Sequence, residues 1–183
     1  MMWIPTASQT VGPFFNFALT TNPGLGVLAK PGAQGERIKL EFKVTDGEGA
    51  ATPGDSMIEL WQSDSLGRYS GGDPNFQGFG RLETSVDGEC AFETIKPGGV
   101  VGADGRMQAP HINVIVFARG LLKHLYTRVY FAGEPANSED AALNVVPEDR
   151  RQTLLAQPVA GQPNTWRMEI RLQGERETVF FDL

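Results

Sequence analysis

The chain has little of what metal and redox sites are usually built from. Its 183 residues include one cysteine, Cys90, and two histidines, His111 and His124. One cysteine excludes an internal disulfide. Cys90 sits in a strand-like run and reads as a small core residue, not a nucleophile. A zinc site draws several ligands from His and Cys, and a facial-triad iron site needs two histidines and a carboxylate. His111 and His124 could pair across adjacent strands. The plainer account has one hydrogen-bonding at a strand end and the other at a sheet edge. No metal site made by this chain alone is therefore expected. Excess positive charge is also missing. A net charge of −6 and a pI near 4.9 argue against a nucleic-acid or anionic-membrane surface. No apolar run approaches membrane-spanning length. The opening Met1-Met2-Trp3-Ile4-Pro5 lacks the basic region and long apolar stretch of a secretory signal, so a cytoplasmic protein is expected. There is no Gly-rich phosphate loop and no Gly-x-Ser-x-Gly elbow. No segment repeats at a fixed period and no composition shift marks a boundary. Residues 1–183 are expected to form one domain with an N-terminal arm over 1–19.

What the sequence does have is punctuation. Its 22 glycines and 12 prolines cluster between apolar runs, as in an all-β domain with many turns. Residues 36–45 alternate strictly, placing Ile38, Leu40, Phe42 and Val44 inward. Residues 56–62 form the next strand, with Ile58, Leu60 and Gln62 on one face and Met57, Glu59 and Trp61 on the other. A long loop follows over 63–81. Asp87-Gly88 is a hairpin signal joining strands at 81–86 and 89–95, and 98–109 reads as a flexible connection. Residues 124–131 are strand-like, with His124, Tyr126, Arg128 and Tyr130 sharing a face. Residues 147–156 form the best helix, with Pro147 at its start and Glu148 and Asp149 at the positive end of the dipole. Strands close the chain at 166–172 and 178–182. The sum is an all-β, two-sheet β-sandwich of about seven or eight strands with one short helix.

The most informative strand is 110–119. Alternation places Ile112, Val114, Val116 and Ala118 toward the core, and His111, Asn113, Ile115, Phe117 and Arg119 on the other face. A His-x-His pair there could supply half a metal site. The chain has His-x-Asn. A half-buried Arg119 needs an acidic partner or an anionic ligand. A structural ion pair and recognition of a substrate carboxylate both stay open. The arm, with Gly12-Pro13 leading into Phe14, Phe15 and Phe17, reads either as a plug for the sandwich or as a segment laid against a ligand pocket or a partner chain.

These residues also carry a resemblance. Ile58-Glu59-Leu60-Trp61-Gln62-Ser63-Asp64, Gly67-Arg68-Tyr69, Asp73-Pro74-Asn75-Phe76, Gly78-Phe79-Gly80-Arg81, Thr94-Ile95-Lys96-Pro97-Gly98, Pro110-His111-Ile112-Asn113 and Thr127-Arg128-Val129-Tyr130-Phe131 resemble the intradiol ring-cleavage dioxygenases. The likeness runs through to Gly174–Asp182 and implies a β-sandwich. Catalytic members hold Fe(3+) with two tyrosines and two histidines. Here the resemblance puts His111 and Asn113 at the two His-x-His positions. Gly99-Val100-Val101 stands where one tyrosine is expected, and Ser70-Gly71-Gly72 is what remains of the loop bearing the other. Tyr69 is a poor substitute.

Three lost ligands out of four resemble the iron-free chain of two-chain family members, whose iron sits in a homologous β subunit. That likeness implies several things together. The chain contributes no catalytic residue and no metal ligand. It pairs with an iron-bearing β chain in an αβ hetero-oligomer. It helps bind 3,4-dihydroxybenzoate for O₂-dependent opening to 3-carboxy-cis,cis-muconate. Thr10, Gly12 and Pro13 match the arm that lines such a pocket. Phe14 replaces a common tyrosine there, and Arg119 matches a pocket-facing arginine. The alternative is a β-sandwich binding or structural module with no part in catalysis.

Overall fold

The structure, a computed structural model, describes residues 4–47, 56–69 and 72–182, apart from the side chains of Pro13, Phe14 and Asn16. Positions 1–3 of the opening and 70–71 of the shortened loop lie outside the described residues. Ten strands are present: β1 (Arg37–Thr45), β2 (Ser56–Gln62), β3 (Phe79–Glu83), β4 (Glu89–Ile95), β5 (Val100–Val101), β6 (Met107–Gln108), β7 (His111–Ala118), β8 (Leu125–Phe131), β9 (Leu155–Pro158) and β10 (Thr165–Arg171). Short helices are α1 (Pro13–Ala18), α2 (Ala141–Asn144) and α3 (Glu148–Arg151).

The hydrogen-bonded order is β3-β2-β7-β8-β9-β10-β1-β4, with β5 and β6 forming a separate hairpin. β9 links two layers. It runs parallel to β8 through Tyr130–Leu155 and Phe131–Ala156, and antiparallel to β10 through Trp166–Pro158 and Arg167–Gln157. The ribbon folds on itself there, and the inner faces meet. Leu40, Phe42 and Val44 of β1, Phe92 of β4 and Met168 and Ile170 of β10 lie on one side. They pack with Ile58, Leu60, Ile112, Val114, Val116, Val129 and Phe131 of the other layer in one buried cluster. These are the positions the alternation marks as inward, because period-two patterning puts one residue set in the core. Cys90 packs against this cluster, and burial pushes its thiol up to about 12. The thiolate needed for nucleophilic chemistry is disfavoured there.

Three expectations are corrected. Among the described residues the strand number is ten, not seven or eight. β5 and β6 have two residues each and β9 has four, too short to show alternation. The helix expected over 147–156 stops at Arg151, tightens into a 3₁₀ turn at Gln152–Leu154, and gives way to β9. Pairing of Leu155 and Ala156 with β8 outweighs the local helical preference. The closing segment 178–182 forms no strand and makes a single bridge, from Phe181 to Tyr126. Among the described residues no helix is long and apolar enough to cross a membrane.

Candidate functional site

The outer face of the β3-β2-β7-β8 layer carries the polar residues of interest. Strand register stacks them in cross-strand rows. His111 lies opposite Tyr130. Asn113 lies between Trp61 and Arg128. Ile115 lies between Glu59 and Tyr126, and Phe117 lies opposite Met57. Paired side chains on one face are near neighbours.

His111 opens β7 and is buried. Its Nδ1 lies 2.8 Å from the Ala109 carbonyl oxygen. A carbonyl only accepts, so Nδ1 carries the proton and Nε2 keeps its lone pair. Burial, and then the Arg128 cation, bring its pKa down to about 4, which keeps the ring neutral. The imidazole packs at a tilt against the Tyr130 ring, at 5.7 Å between centroids. The Tyr130 hydroxyl donates to Asp140 Oδ1 at 3.0 Å. Asp140 is fully buried and also accepts from the Ala109 and Leu143 amides at 2.8 Å each.

The second His-x-His position behaves differently. Asn113 Nδ2 donates to the Tyr69 hydroxyl at 3.0 Å. Asn113 Oδ1 and the neighbouring Trp61 Nε1 are buried without a partner among the described residues. Burial raises the Tyr69 and Tyr126 phenols above their ordinary value, with Arg128 pulling the other way. Arg128 Nη1 reaches Gln108 Oε1 and the Tyr130 hydroxyl at 3.4 Å.

This donor set does not fit a ferric ion. It offers one imidazole lone pair, a neutral amide and protonated phenols around a fixed guanidinium, which repels a second cation. Gly99 precedes β5, where Val100 and Val101 pair with β6 and supply no phenol. Among the described residues no group of three or more His, Cys, Asp or Glu could hold a metal. His124 does not pair with His111. It lies toward the other end of β7, edge-on to Phe117 at 5.4 Å and 3.0 Å from Ser8 Oγ.

The arm crosses this second end. Phe15 is buried against Met57, Ile115 and Phe117, with Val11 and Leu19 packed alongside. Gly12 caps α1 in an extended conformation, with Pro13 at the first helical position. Thr10 is exposed, and the side chain of Phe14 lies outside the described residues. Arg119 emerges two residues past Phe117, just beyond the last β7–β2 pair at Ala118–Ser56. It is exposed, not half-buried as expected. The ladder has ended there, and Gly120, at φ +88°, turns the chain away. The arm and Arg119 thus share one end of the face, while His111 and Asn113 occupy the other.

Sequence reasoning placed Tyr126, Arg128 and Tyr130 on one face but missed their meeting with Asn113 and His111. It missed Asp140 and Gln108 altogether. Alternation was a usable signal for the first group. Asp140 carried none, because its role depends on a loop returning across 31 residues. A concavity of about 500 Å³ between β9, β10 and residues 176–178 shares no residue with this face.

Comparison with known proteins identifies the family. The family described as Dioxygenase matches residues 11–174. The protocatechuate 3,4-dioxygenase alpha chain of Burkholderia cepacia is 42% identical, over 97% of each chain. That of Pseudomonas putida is 43% identical, over 97% of this chain and 96% of the other. The Burkholderia cepacia beta chain is 33% identical, over 67% of this chain and 56% of its own length. Among solved structures, 3-chlorocatechol 1,2-dioxygenase from Rhodococcus opacus 1CP shares the fold. Its TM-score is 0.67 at 19% identity, covering 93% of this chain and 68% of that one. The chain therefore belongs to the intradiol ring-cleavage dioxygenase family, beside the alpha chains of protocatechuate 3,4-dioxygenase.

Proposed function

We propose that this chain is the iron-free α subunit of a protocatechuate 3,4-dioxygenase and works as an αβ hetero-oligomer with a homologous, iron-bearing β chain. The observation that carries this reading is its end-to-end likeness to alpha chains, 42% identical over 97% of both. The donor set at His111 and Asn113 supports it, since this face cannot supply the metal chemistry itself. The same likeness favours the subunit over a sandwich module detached from catalysis.

In this reading Fe(3+), held by the partner chain, would supply the chemistry that activates the catechol toward O₂. Both oxygen atoms enter the product as the ring of 3,4-dihydroxybenzoate opens between its hydroxyls to 3-carboxy-cis,cis-muconate. This chain supplies shape and field. Gly12, Pro13 and Phe14 wall the ring, and Arg119, with Thr10, favours the end carrying the substrate carboxylate. Guanidinium suits that task because its paired donors match a carboxylate. A cytoplasmic location, with no nucleic-acid or membrane partner, fits the acidic balance of −6.

The test is iron content and visible colour, for the chain alone and co-expressed with a His-x-His-bearing homologue from the same source. A colourless, iron-free chain that co-purifies with the homologue as a coloured, active complex is the expected result. Iron binding and catechol cleavage by the chain alone would overturn the reading.

A further inference from the structure

The arm is held by an anchor that none of the pocket residues explains. Glu59 on β2 and Arg81 on β3 are cross-strand partners. The Glu59 side chain is 0% exposed and that of Arg81 is 11% exposed. Arg81 Nη2 lies 2.7 Å from Glu59 Oε1, and Arg81 Nε donates to the same oxygen at 2.8 Å. The third member comes from the arm, 53 residues upstream of Glu59. Thr6 Oγ1 donates to Glu59 Oε1 at 2.5 Å and accepts from Arg81 Nη2 at 2.8 Å. The Thr6 amide donates to Glu59 Oε2 at 3.2 Å.

A buried ion pair between neighbouring strands is a poor source of stability, because desolvation offsets its attraction. In some proteins such a pair is kept for specificity, because it accepts one geometry and penalises others. Here the geometry it selects is the register of the arm. Residues 4–12 make no strand pairing. Thr6 fixes one end of the segment and the buried ring of Phe15 fixes the other. Thr10 and Gly12 lie between these two fixed points. The eight residues between these points, tied at both ends, sample far fewer paths than a tail tied at one.

We propose that Glu59 and Arg81 are positioning residues that act through Thr6 to hold Thr10 and Gly12 in place at the substrate pocket. The inference rests on the reading of the arm as a pocket wall. The hydroxyl of Thr6 is the informative group, since it donates to one ion and accepts from the other. Thr6→Val keeps the shape and loses both bonds, yet leaves Glu59 and Arg81 paired. Thr6→Ser keeps both bonds.

The experiment uses the co-expressed αβ enzyme. Thr6→Val should raise KM for protocatechuate about three- to tenfold, the usual worth of one hydrogen bond, with kcat and iron content unchanged. Thr6→Ser should restore the parent KM. Hydrogen exchange over residues 4–12 gives a readout independent of activity, and it should quicken in Thr6→Val but not in Thr6→Ser. Unaltered exchange in Thr6→Val overturns the anchor. Faster exchange with an unchanged KM overturns its positioning role. If Arg119→Ala raises KM and Thr6→Val does not, the anchoring inference falls and the pocket reading stands. If neither raises KM, both fall.

Discussion

The Tyr130 hydroxyl donates to the Asp140 carboxylate at 3.0 Å, and this bond ties β8 to α2 and to the entry of β7. Asp140 caps α2 and holds the Ala109 amide as well. Asp140→Ala leaves two buried amides and a phenol without their acceptor. The expected loss is about 3 kcal/mol of unfolding free energy, read from the urea midpoint. Tyr130→Phe removes one bond and should cost about 1 kcal/mol. An Asp140→Ala midpoint equal to the parent's would refute this account.

His111 makes stability depend on pH. Its pKa falls from 6.5 in the unfolded chain to about 4 in the fold, mainly through burial and then through Arg128, against the opposing pull of the Ala109 carbonyl and Asp140. Between those values the unfolded chain binds the extra proton. The contribution is therefore fully present above about pH 6.5 and is lost as pH falls toward 4. At most it amounts to about 3 kcal/mol. His111→Gln should flatten the pH profile of stability over that window relative to the parent. Superimposable profiles would show that His111 is not the source.

Restoring one histidine should not restore a metal site. Asn113→His supplies a second imidazole, but the Arg128 guanidinium still occupies this face and no phenolate stands near β5. Purified Asn113→His is expected to carry no more iron than the parent by elemental analysis. Stoichiometric iron in that variant would mean the misfit described above is wrong.

Arg119 is exposed at the end of β7, beside the arm. In the αβ enzyme, Arg119→Ala should raise KM for protocatechuate with iron content intact. The loss of a charge-assisted contact worth roughly 1.5–3 kcal/mol corresponds to about a ten- to hundredfold rise. An unchanged KM removes Arg119 from the pocket.

Gly67 seats the loop that carries Tyr69 to Asn113. Its φ is +78°, and a Cβ there would lie 2.1 Å from the Gly99 carbonyl oxygen, which is backbone and cannot step aside. Gly67→Ala should cost about 1–3 kcal/mol or more and loosen Tyr69. Thermal unfolding measures the first effect, and tyrosine titration of the variant reports the second. A variant as stable as the parent would show that the loop can take another path.

The sequence by itself determined six of the strands and the His-x-Asn spacing. β1, β2, β4, β7, β8 and β10 fall within about a residue of the alternating runs, because period-two burial is a local property. His111-Ile112-Asn113 is likewise local, so the broken pair could be read without coordinates. Only the tertiary structure decided which strand lies beside which, and hence that Trp61, Asn113 and Arg128 form one row. It also decided that Tyr69 reaches Asn113 across 44 residues and that Thr6 reaches Glu59 across 53. It exposed Arg119 and cut the expected helix short to make β9. These outcomes depend on register and loop path, which are set by the packing of distant segments and leave no periodic trace in the chain.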